Sequence, residues 1–252
     1  MSTPIKMLYS DAKEFVYIVE SIAVLLEEAA FTITNEGLKL RAIDSSRSAL
    51  IDLFIPREAF EEYPSDLPEE VRVGVNFSDL KKILKRVKKG DRIALEVAEG
   101  KLKVKLIGKA TRAVMLPIID VPVEQLPTPK VVFTVTAKVA SDALREAMKD
   151  ADILADSVKF EAKEDGLYIT ASSDRGDLEV KFERESEAMF EYDLKEPAAA
   201  RYSLDYLADI VSKAYRVSDI AVIEFATSKP IALTFEIPMG GKLTYYIAPM
   251  LD

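Results

Sequence analysis

The sequence predicts an α+β fold of two similar domains, each built from antiparallel sheet and two short helices. Three observations support this prediction. Long segments of the two halves resemble each other at a spacing of 127–129 residues, alternating apolar and polar residues are more frequent than helical patterns, and a proline-rich segment separates the two copies. A repeat of this length indicates two domains of about 120 residues each.

The clearest repeat is a hairpin pattern. FTITNEGLKLRAIDSSR begins at Phe31, and FEAKEDGLYITASSDR begins at Phe160. Aligning Gly37 with Gly166 gives an offset of 166 − 37 = 129 and matches the apolar positions of the two copies. Each copy alternates apolar and polar residues on both sides of a turn that contains an acidic residue and a glycine. We therefore expect one β-hairpin at this position in each domain.

Two short amphipathic helices are predicted in each copy. VNFSDLKKILKRVKKGDRIALEV from Val75 matches YSLDYLADIVSKAYRVSDIAVIEF from Tyr202, with apolar residues recurring every three or four positions. A similar stripe occurs near the start of each half, around Phe15 and Leu144. Because strands outnumber helices and short turns join them, we expect the sheets to be antiparallel.

A proline-rich segment, MLPIIDVPVEQLPTPKV at residues 115–131, lies between the copies. Proline fixes φ, lacks an N–H and pushes the preceding residue toward extended conformations. We therefore predict a stiff connector at residues 118–130 between domains at 1–117 and 131–252. At this point two interpretations stay open: the connector packs its apolar residues onto the chain itself, or it also offers them to another molecule.

The composition excludes several kinds of chemistry. The 252 residues contain no cysteine and no histidine, which excludes disulfides, Ser-His-Asp and Cys-His nucleophile systems, and His-ligated metals. The acidic segments EEAA and YPSDLPEE are spaced as on a solvated surface, and PMGGK at 238–242 lacks the first glycine and the hydroxyl residue of a phosphate-binding loop. We therefore predict no catalytic residue, no metal and no cofactor.

The composition also indicates a soluble intracellular protein. Hydrophobic residues make up 49% and charged residues 31%, which allows both a core and a hydrated surface. No apolar run approaches the length of a membrane span, and the first residues lack the pattern of a signal peptide. Two asparagines and one glutamine beside abundant Lys and Glu indicate a hyperthermophilic source.

One segment is strongly basic within an acidic chain. The formal net charge is −9, but charges more than about 8 Å apart are largely screened at physiological salt, so a local basic patch can act by itself. Within residues 76–90 the sequence predicts a helix with an apolar stripe from Phe77 to Val87, and only Asp79 opposes the cations of this segment. The cations are Lys81, Lys82, Lys85, Arg86, Lys88 and Lys89. They form either a solvated face or a face for phosphates, which lysines contact without reading sequence.

Five motifs, in order along the whole chain, resemble the DNA sliding clamp family called proliferating cell nuclear antigen. They are LRAIDSSR (40–47), GVNFSDLKKILK (74–85), DVPVEQLPTP (120–129), YSLDYL (202–207) and KLTYYIAP (242–249). With the thermophile composition, the chain resembles an archaeal member. The resemblance implies a ring of three chains, with helices lining the hole and sheets on the outside.

The resemblance also implies function and partners. Members of the family encircle double-stranded DNA independently of sequence and tether DNA polymerase, DNA ligase and flap endonuclease during replication and repair. They have no enzymatic activity, and a separate clamp loader places them on DNA. We therefore expect a nucleoid-associated protein of the prokaryotic cytoplasm. Two alternatives are a subunit that works only in a heterotrimer with paralogues and, from another class, a carboxylate-metal hydrolase of nucleic acid.

The resemblance assigns three sets of residues. The DNA-facing positions are Lys13, Lys82, Lys85, Lys149 and Lys213, and Asp205 replaces a basic residue typical of the last helix. The client-peptide residues are Ile43, Arg47, Ser48, Val123, Leu126, Pro129, Pro230, Tyr246, Ala248 and Pro249. The subunit-interface residues lie on two predicted edge strands, 111–116 and 178–182, and are Thr111, Ala113, Met115, Leu178, Val180 and Phe182.

In the family, client peptides insert a short helical turn with apolar and aromatic side chains beside the connector. This is a groove-binding mode with few anchors. The prolines of a stiff connector reduce the ordering entropy that binding costs. The resemblance thus favours a connector that both separates the domains and contacts partners.

Overall fold

Two compact units with the same order of elements make up the chain. The computed structural model describes residues 4–122 and 124–250. The first unit comprises the described residues within 1–43, 51–126 and 237–243, and the second those within 44–50, 127–236 and 244–252. The main change of unit, between Leu126 and Pro127, falls inside the predicted connector. The domain boundaries drawn from the sequence stay a prediction.

The first half of the described chain contains nine strands and two α-helices. In order they are β1 (Ile5–Tyr9), α1 (Ala12–Ile22), β2 (Glu28–Ile33), β3 (Gly37–Ile43), β4 (Ala49–Pro56), β5 (Phe60–Glu62), β6 (Val71–Asn76), α2 (Phe77–Leu84), β7 (Arg92–Ala98), β8 (Lys101–Ile107) and β9 (Thr111–Pro117). A 3-10 turn at Arg57–Ala59 joins β4 to β5.

The second half repeats this order. Its described elements are β10 (Val135–Ala140), α3 (Ser141–Asp152), β11 (Ser157–Lys163), β12 (Gly166–Ser173), β13 (Gly176–Glu183), β14 (Met189–Leu194), β15 (Ala198–Ser203), α4 (Leu204–Ala214), β16 (Ile220–Phe225), β17 (Ile231–Ile237) and β18 (Gly241–Ile247). A 3-10 turn at Pro238–Gly240 precedes β18.

Within each unit, the strands form two sets of neighbours. In the first unit these are β5-β1-β7-β8-β9 and β4-β3-β2-β6, and in the second β14-β10-β16-β17-β18 and β13-β12-β11-β15. Pairings such as β7 with β8 and β11 with β12 are antiparallel. The two helices of each unit contact each other and strands of both sets. The prediction of an α+β fold with two similar antiparallel domains is confirmed.

Glycine is required at the same place in both hairpins. Gly37 begins β3 with φ +156°, and Gly166 begins β12 with φ +152°. A Cβ atom would lie 2.2 Å from the Ile55 carbonyl oxygen at the first position and 2.3 Å from the Phe182 carbonyl oxygen at the second. A side chain would therefore meet both an unfavourable φ and the backbone of the next strand. This steric requirement explains why the repeat aligns on glycine.

Near the start of the second helix of each unit, an aromatic residue packs against the first strand of the hairpin. The ring centroids of Phe31 and Phe77 are 5.5 Å apart, and those of Phe160 and Tyr202 are 5.8 Å apart. Phe77 is the first residue of α2, and Tyr202 lies two residues before α4. Fully burying a side chain the size of Phe stabilises a fold by about 1.5–3 kcal/mol. The Phe31–Phe77 contact therefore helps to fix where α2 lies on its sheet, whereas Tyr202 belongs to β15 and its contact with Phe160 joins two neighbouring strands.

Helix α2 is shorter than the basic segment predicts. It ends at Leu84, and the N–H groups of Arg86 and Val87 donate to Ile83 and Leu84 carbonyls at 3.1 and 3.0 Å. These tighter i→i−3 bonds replace the i→i−4 hydrogen bonds of the helix. In the turn that follows, the Asp91 carboxylate accepts a hydrogen bond from the Lys88 N–H at 3.0 Å. The prediction of one helical stripe reaching Val87 is therefore wrong, because a turn leads the chain into β7.

Candidate functional site

The five lysines predicted to face DNA lie on or directly after the four helices. Their positions are Lys13 on α1, Lys82 on α2, Lys85 immediately after α2, Lys149 on α3 and Lys213 on α4. Lys213 is half-buried and the other four are exposed. Each unit thus presents ammonium groups to solvent from its own pair of helices.

Helix α2 is oriented by an N-cap and by burial of one face. The Asn76 side chain accepts a hydrogen bond from the Asp79 N–H at 3.0 Å, which satisfies a free donor of the first turn. The buried face consists of Phe77, Leu80 and Leu84. Lys82 and Lys85 therefore point to solvent on one side, three positions apart. The 2.8 Å pair between Lys82 and Asp79 is exposed and contributes little, so both lysines are available to phosphates.

The helices of the second unit carry mixed charge. Lys149 pairs with Glu146 at 3.2 Å on α3, and on α4 Asp205 and Asp209 precede Lys213 at intervals of four residues. Burial raises the pKa of the Asp209 carboxyl, and the negative charge of Asp205 raises it further, whereas Lys213 opposes the rise. Helix α2 and the turn after it are therefore the most basic part of the four helices.

The connector begins with backbone hydrogen bonds to the first unit. The Ile119 N–H donates to the Gly74 carbonyl of β6 at 3.1 Å, and the Ile118 N–H donates to the Gly100 carbonyl at 3.0 Å. A Cβ on Gly74 would lie 2.0 Å from the Ile119 carbonyl oxygen, so the approach requires glycine. Farther along, the Arg41 guanidinium donates to the Leu126 carbonyl at 3.4 Å. The described part of the connector in this unit is therefore attached at both ends.

The loop between β3 and β4 is organised by a buried carboxylate. Asp44, which is 6% exposed, accepts hydrogen bonds at 2.7–3.0 Å from the N–H groups of Ser46, Ser48 and Ala49. Burial by itself raises a carboxyl pKa, but these bonds and those from the Ser46 and Tyr206 hydroxyls outweigh it, so the pKa of Asp44 is lowered. The sequence around Asp44 does not indicate the bond from Tyr206, because Tyr206 lies 162 positions away in the chain.

The predicted client-peptide residues are distributed over both units. Ile43 and Leu126 belong to the first unit, and the other described members belong to the second. Arg47 and Ala248 are exposed, and the remaining described members are half-buried: Ile43, Ser48, Leu126, Pro129, Pro230, Tyr246 and Pro249. The prediction for Val123 lies outside the described residues. Within the second unit, the Ala248 N–H donates to the Ser48 carbonyl at 2.9 Å, which joins two members directly.

The strands that carry the predicted subunit-interface residues both lie at sheet edges. β9 follows β8 at the end of its sheet, and β13 lies beyond β12 at the end of another. Thr111, Ala113 and Met115 are exposed on β9, and Leu178 and Val180 are half-buried on β13. Phe182 is 3% exposed and packs within its own unit, so only its backbone belongs to the edge.

Sequence reasoning missed Val114, the apolar side chain on the other face of β9. The register places Val114 opposite Val104, which is fully buried, yet Val114 is 42% exposed because no described strand covers that side of β9. The alternation of side chains along β9 was the available signal, since Val114 and Leu116 share the face of the core. Val114 thus extends the apolar core to the open edge of the sheet.

Two further kinds of site are absent from residues 4–122 and 124–250. No group of three or more acidic side chains in these ranges is arranged to hold a metal ion. Within the same ranges, none of the helices combines the length and the apolar character that crossing a membrane demands.

Comparison with protein families gives two matches that together span almost the whole chain. Residues 7–121 match the N-terminal domain of proliferating cell nuclear antigen (PCNA), and residues 128–250 match its C-terminal domain. The chain is 57% identical over 246 residues to "DNA polymerase sliding clamp 1" of Pyrobaculum aerophilum, covering 98% of each chain. It is 36% identical over 250 residues to the "DNA polymerase sliding clamp" of Pyrococcus horikoshii, covering 99% of each.

Solved structures show the same architecture. The structure of PCNA from Thermococcus kodakaraensis superposes with a TM-score of 0.92 at 27% identity, covering 98% of this chain and all of the other. A chain of the PCNA2–PCNA3 complex from Sulfolobus tokodaii superposes with a TM-score of 0.90 at 32% identity, again covering 98% of this chain and all of the other. The repeated fold, the motifs and these similarities agree, and the chain belongs to the proliferating cell nuclear antigen family.

Proposed function

We propose that this chain is a DNA sliding clamp that encircles duplex DNA without reading its sequence and acts as a processivity factor. The observation that carries the proposal is that both halves match the two domains of one clamp family across nearly the full length. Relatives that share 57% and 45% of their residues with it are named DNA polymerase sliding clamps. In this proposal the chain has no reaction of its own, and DNA polymerase, flap endonuclease, DNA ligase and a clamp loader are its partners.

The ring is proposed to close through the two open sheet edges. β9 of one subunit would pair with β13 of the next, which satisfies backbone groups that an edge strand otherwise leaves to solvent. Such a head-to-tail contact closes into a ring when the rotation permits. The ring would place α1 to α4 toward the hole, where modest positive charge allows sliding and a tight grip would hinder it.

Size-exclusion chromatography with light scattering tests this assembly. A homotrimer of the 28.0 kDa chain has a mass of about 84 kDa, which is 3 × 28.0 kDa. If the pure chain has the mass of one or two chains, and this mass rises only after a paralogue is added, the heterotrimer is favoured. The complex of PCNA2 with PCNA3 among the similar structures is the observation behind that second candidate.

Topological linkage to DNA tests the function itself. The clamp, placed on nicked circular plasmid by an archaeal clamp loader with ATP, should stay with the plasmid at salt concentrations that abolish binding to free duplex. Cutting the plasmid once should release it, because a ring slides off an end. If the clamp leaves the circular plasmid as readily as the cut plasmid, this result contradicts the proposal.

Replacing both Lys82 and Lys85 by alanine is expected to weaken the binding of the clamp to duplex DNA without changing its mass. For each phosphate that is no longer neutralised, the slope of log affinity against log salt should become shallower by about 0.9. The measurement is the affinity for linear duplex over a range of salt. The control is the double change Lys195→Ala and Lys229→Ala, which removes two exposed lysines outside the helices. If the slope of log affinity against log salt is the same for the two variants, Lys82 and Lys85 do not face the DNA.

Truncating an apolar anchor is expected to weaken client binding. Leu126→Ala or Tyr246→Ala should each cost about 1–3 kcal/mol in the binding free energy of a peptide with a glutamine and paired aromatic residues, as truncated anchors do. Isothermal titration of the trimer with the peptide measures this cost. Val132→Ala, at a site that is 82% exposed and outside the predicted set, is the control and should bind like the original chain.

A further inference from the structure

We propose that Tyr206, on the first turn of α4, is a positioning residue for client binding. It holds Asp44, and through Asp44 it sets the conformation of the Asp44 loop, residues 44–49, which carries Arg47 and Ser48. The inference rests on the proposed function, because it concerns residues assigned to client peptides. It adds a residue that lies outside that set and would act through Asp44.

Three polar groups meet at the contact between α4 and the loop. The Tyr206 hydroxyl donates to Asp44 Oδ2 at 2.7 Å, and the Ser46 hydroxyl donates to the same oxygen at 2.6 Å. The two hydroxyl oxygens are 2.5 Å apart. Each hydroxyl has one proton, so two protons serve these three contacts, and at least one of them reaches the carboxylate. Tyr206 therefore links the loop to a helix 162 positions away in the chain, whereas Ser46, Ser48 and Ala49 donate from within the loop.

Hydrogen bonds to the other carboxylate oxygen of Asp44 lead to the predicted client-peptide residues. Asp44 Oδ1 accepts from the N–H groups of Ser48 at 2.8 Å and Ala49 at 2.7 Å. The Ser48 carbonyl in turn accepts from the Ala248 N–H at 2.9 Å. One continuous set of hydrogen bonds thus runs from Tyr206 through Asp44 and Ser48 to Ala248, all within the second unit.

The loop needs such support because Arg47 has an unfavourable backbone conformation. Its φ is +61°, in the left-handed region, which is unfavourable for a residue with a side chain. The Arg47 N–H donates to the Asp44 carbonyl at 2.9 Å, so the strained residue is anchored on the same aspartate. Strained residues persist where their surroundings fix them. If Asp44 loses its hydrogen bond from Tyr206, Arg47 and Ser48 should therefore be able to leave their positions.

Removing the Tyr206 hydroxyl isolates this effect from folding. Helix α4 is anchored by Leu204, Leu207, Ile210, Val211 and Ala214, which are buried, and Tyr206 itself is half-buried. Tyr206→Phe keeps the ring and removes only the donor. Since hydrogen bonds to charged groups are among the stronger ones, peptide affinity should fall about three- to thirty-fold. The unfolding midpoint should change little, because Asp44 keeps its donors within the loop.

The experiment compares the original chain, Tyr206→Phe and the matched control Tyr168→Phe as trimers. The Tyr168 hydroxyl donates to Asp165 at 2.6 Å, so the control removes the same kind of bond elsewhere in the second unit. Peptide affinity is measured with the glutamine and paired-aromatic peptide, and amide hydrogen exchange is measured in residues 44–50. Tyr206→Phe should weaken binding and speed exchange in this segment, whereas Tyr168→Phe should do neither.

The outcomes separate this inference from the proposed function. If the original chain binds the peptide and Tyr206→Phe binds equally well, the positioning role is overturned and the clamp function stands. If the original chain binds no such peptide, the client-binding part of the proposed function fails first. Asp44→Asn is a second variant that changes the acceptor of the same bond. It should weaken binding too, and combining it with Tyr206→Phe should cost less than the sum of the two changes.

Discussion

Replacing Val114 by glutamate is expected to convert the proposed trimer into single chains of about 28 kDa. Val114 lies on the open edge strand β9, on the face that continues the core, opposite the fully buried Val104. Pairing of β9 with another subunit would cover it. A carboxylate there would be desolvated without a partner, which costs several kcal/mol for each ion, and a closed ring has three such sites.

The change should affect assembly rather than folding. Val114 is 42% exposed in the single chain, so glutamate can reach solvent there as long as the edge stays open. Light scattering gives the mass, and circular dichroism gives the unfolding midpoint of the same sample. Val132→Glu is the matched control, since it introduces the same side chain at an exposed apolar site that belongs to neither edge strand. A Val114→Glu variant that stays trimeric would remove β9 from the interface.

The duplicated fold could be predicted because its causes are local in the sequence. Alternation on both sides of Gly37 and Gly166 specifies a hairpin, and the structure shows why each position must be glycine. The spacing of apolar residues around Phe77 and Leu204 predicts the second helix of each unit, and both residues are fully buried at helix starts. Each prediction was also supported twice, because the same pattern of apolar residues occurs in both halves of the chain.

Features that depend on distant residues could not be predicted in this way. Nothing near Asp44 in the sequence indicates that the Tyr206 hydroxyl completes its hydrogen bonds. The exposure of Val114 depends on β9 being the last strand of its sheet, and alternation shows the face of Val114 but not this edge position, which only the family resemblance implied. The end of α2 at Leu84 was missed for another reason: the i→i−3 bonds there are local, but the Lys-rich sequence continues the helical pattern beyond them.

Replacing Gly74 by valine is expected to detach the start of the connector from β6. The Ile119 carbonyl oxygen would lie 2.0 Å from the new Cβ, and the Ile119 N–H donates to the carbonyl of Gly74 itself. The obstacle is backbone and not the end of a flexible side chain, so the connector must move. Overpacking of this kind typically costs about 1–3 kcal/mol in unfolding free energy. Client-peptide affinity should fall about tenfold or more, because Leu126 follows on the same stiff segment.

Peptide titration and hydrogen exchange of residues 118–126 measure the two consequences separately. Gly100→Asn is the control: Gly100 has φ +71°, which asparagine tolerates, and no atom lies within 4 Å of its Cβ position. The decisive comparison combines Gly74→Val with Leu126→Ala. If Gly74 acts by holding Leu126 in place, the loss of Leu126 should matter little once the connector has moved, so the two costs should not add. Fully additive costs would mean that Gly74 supports client binding by another route than the connector.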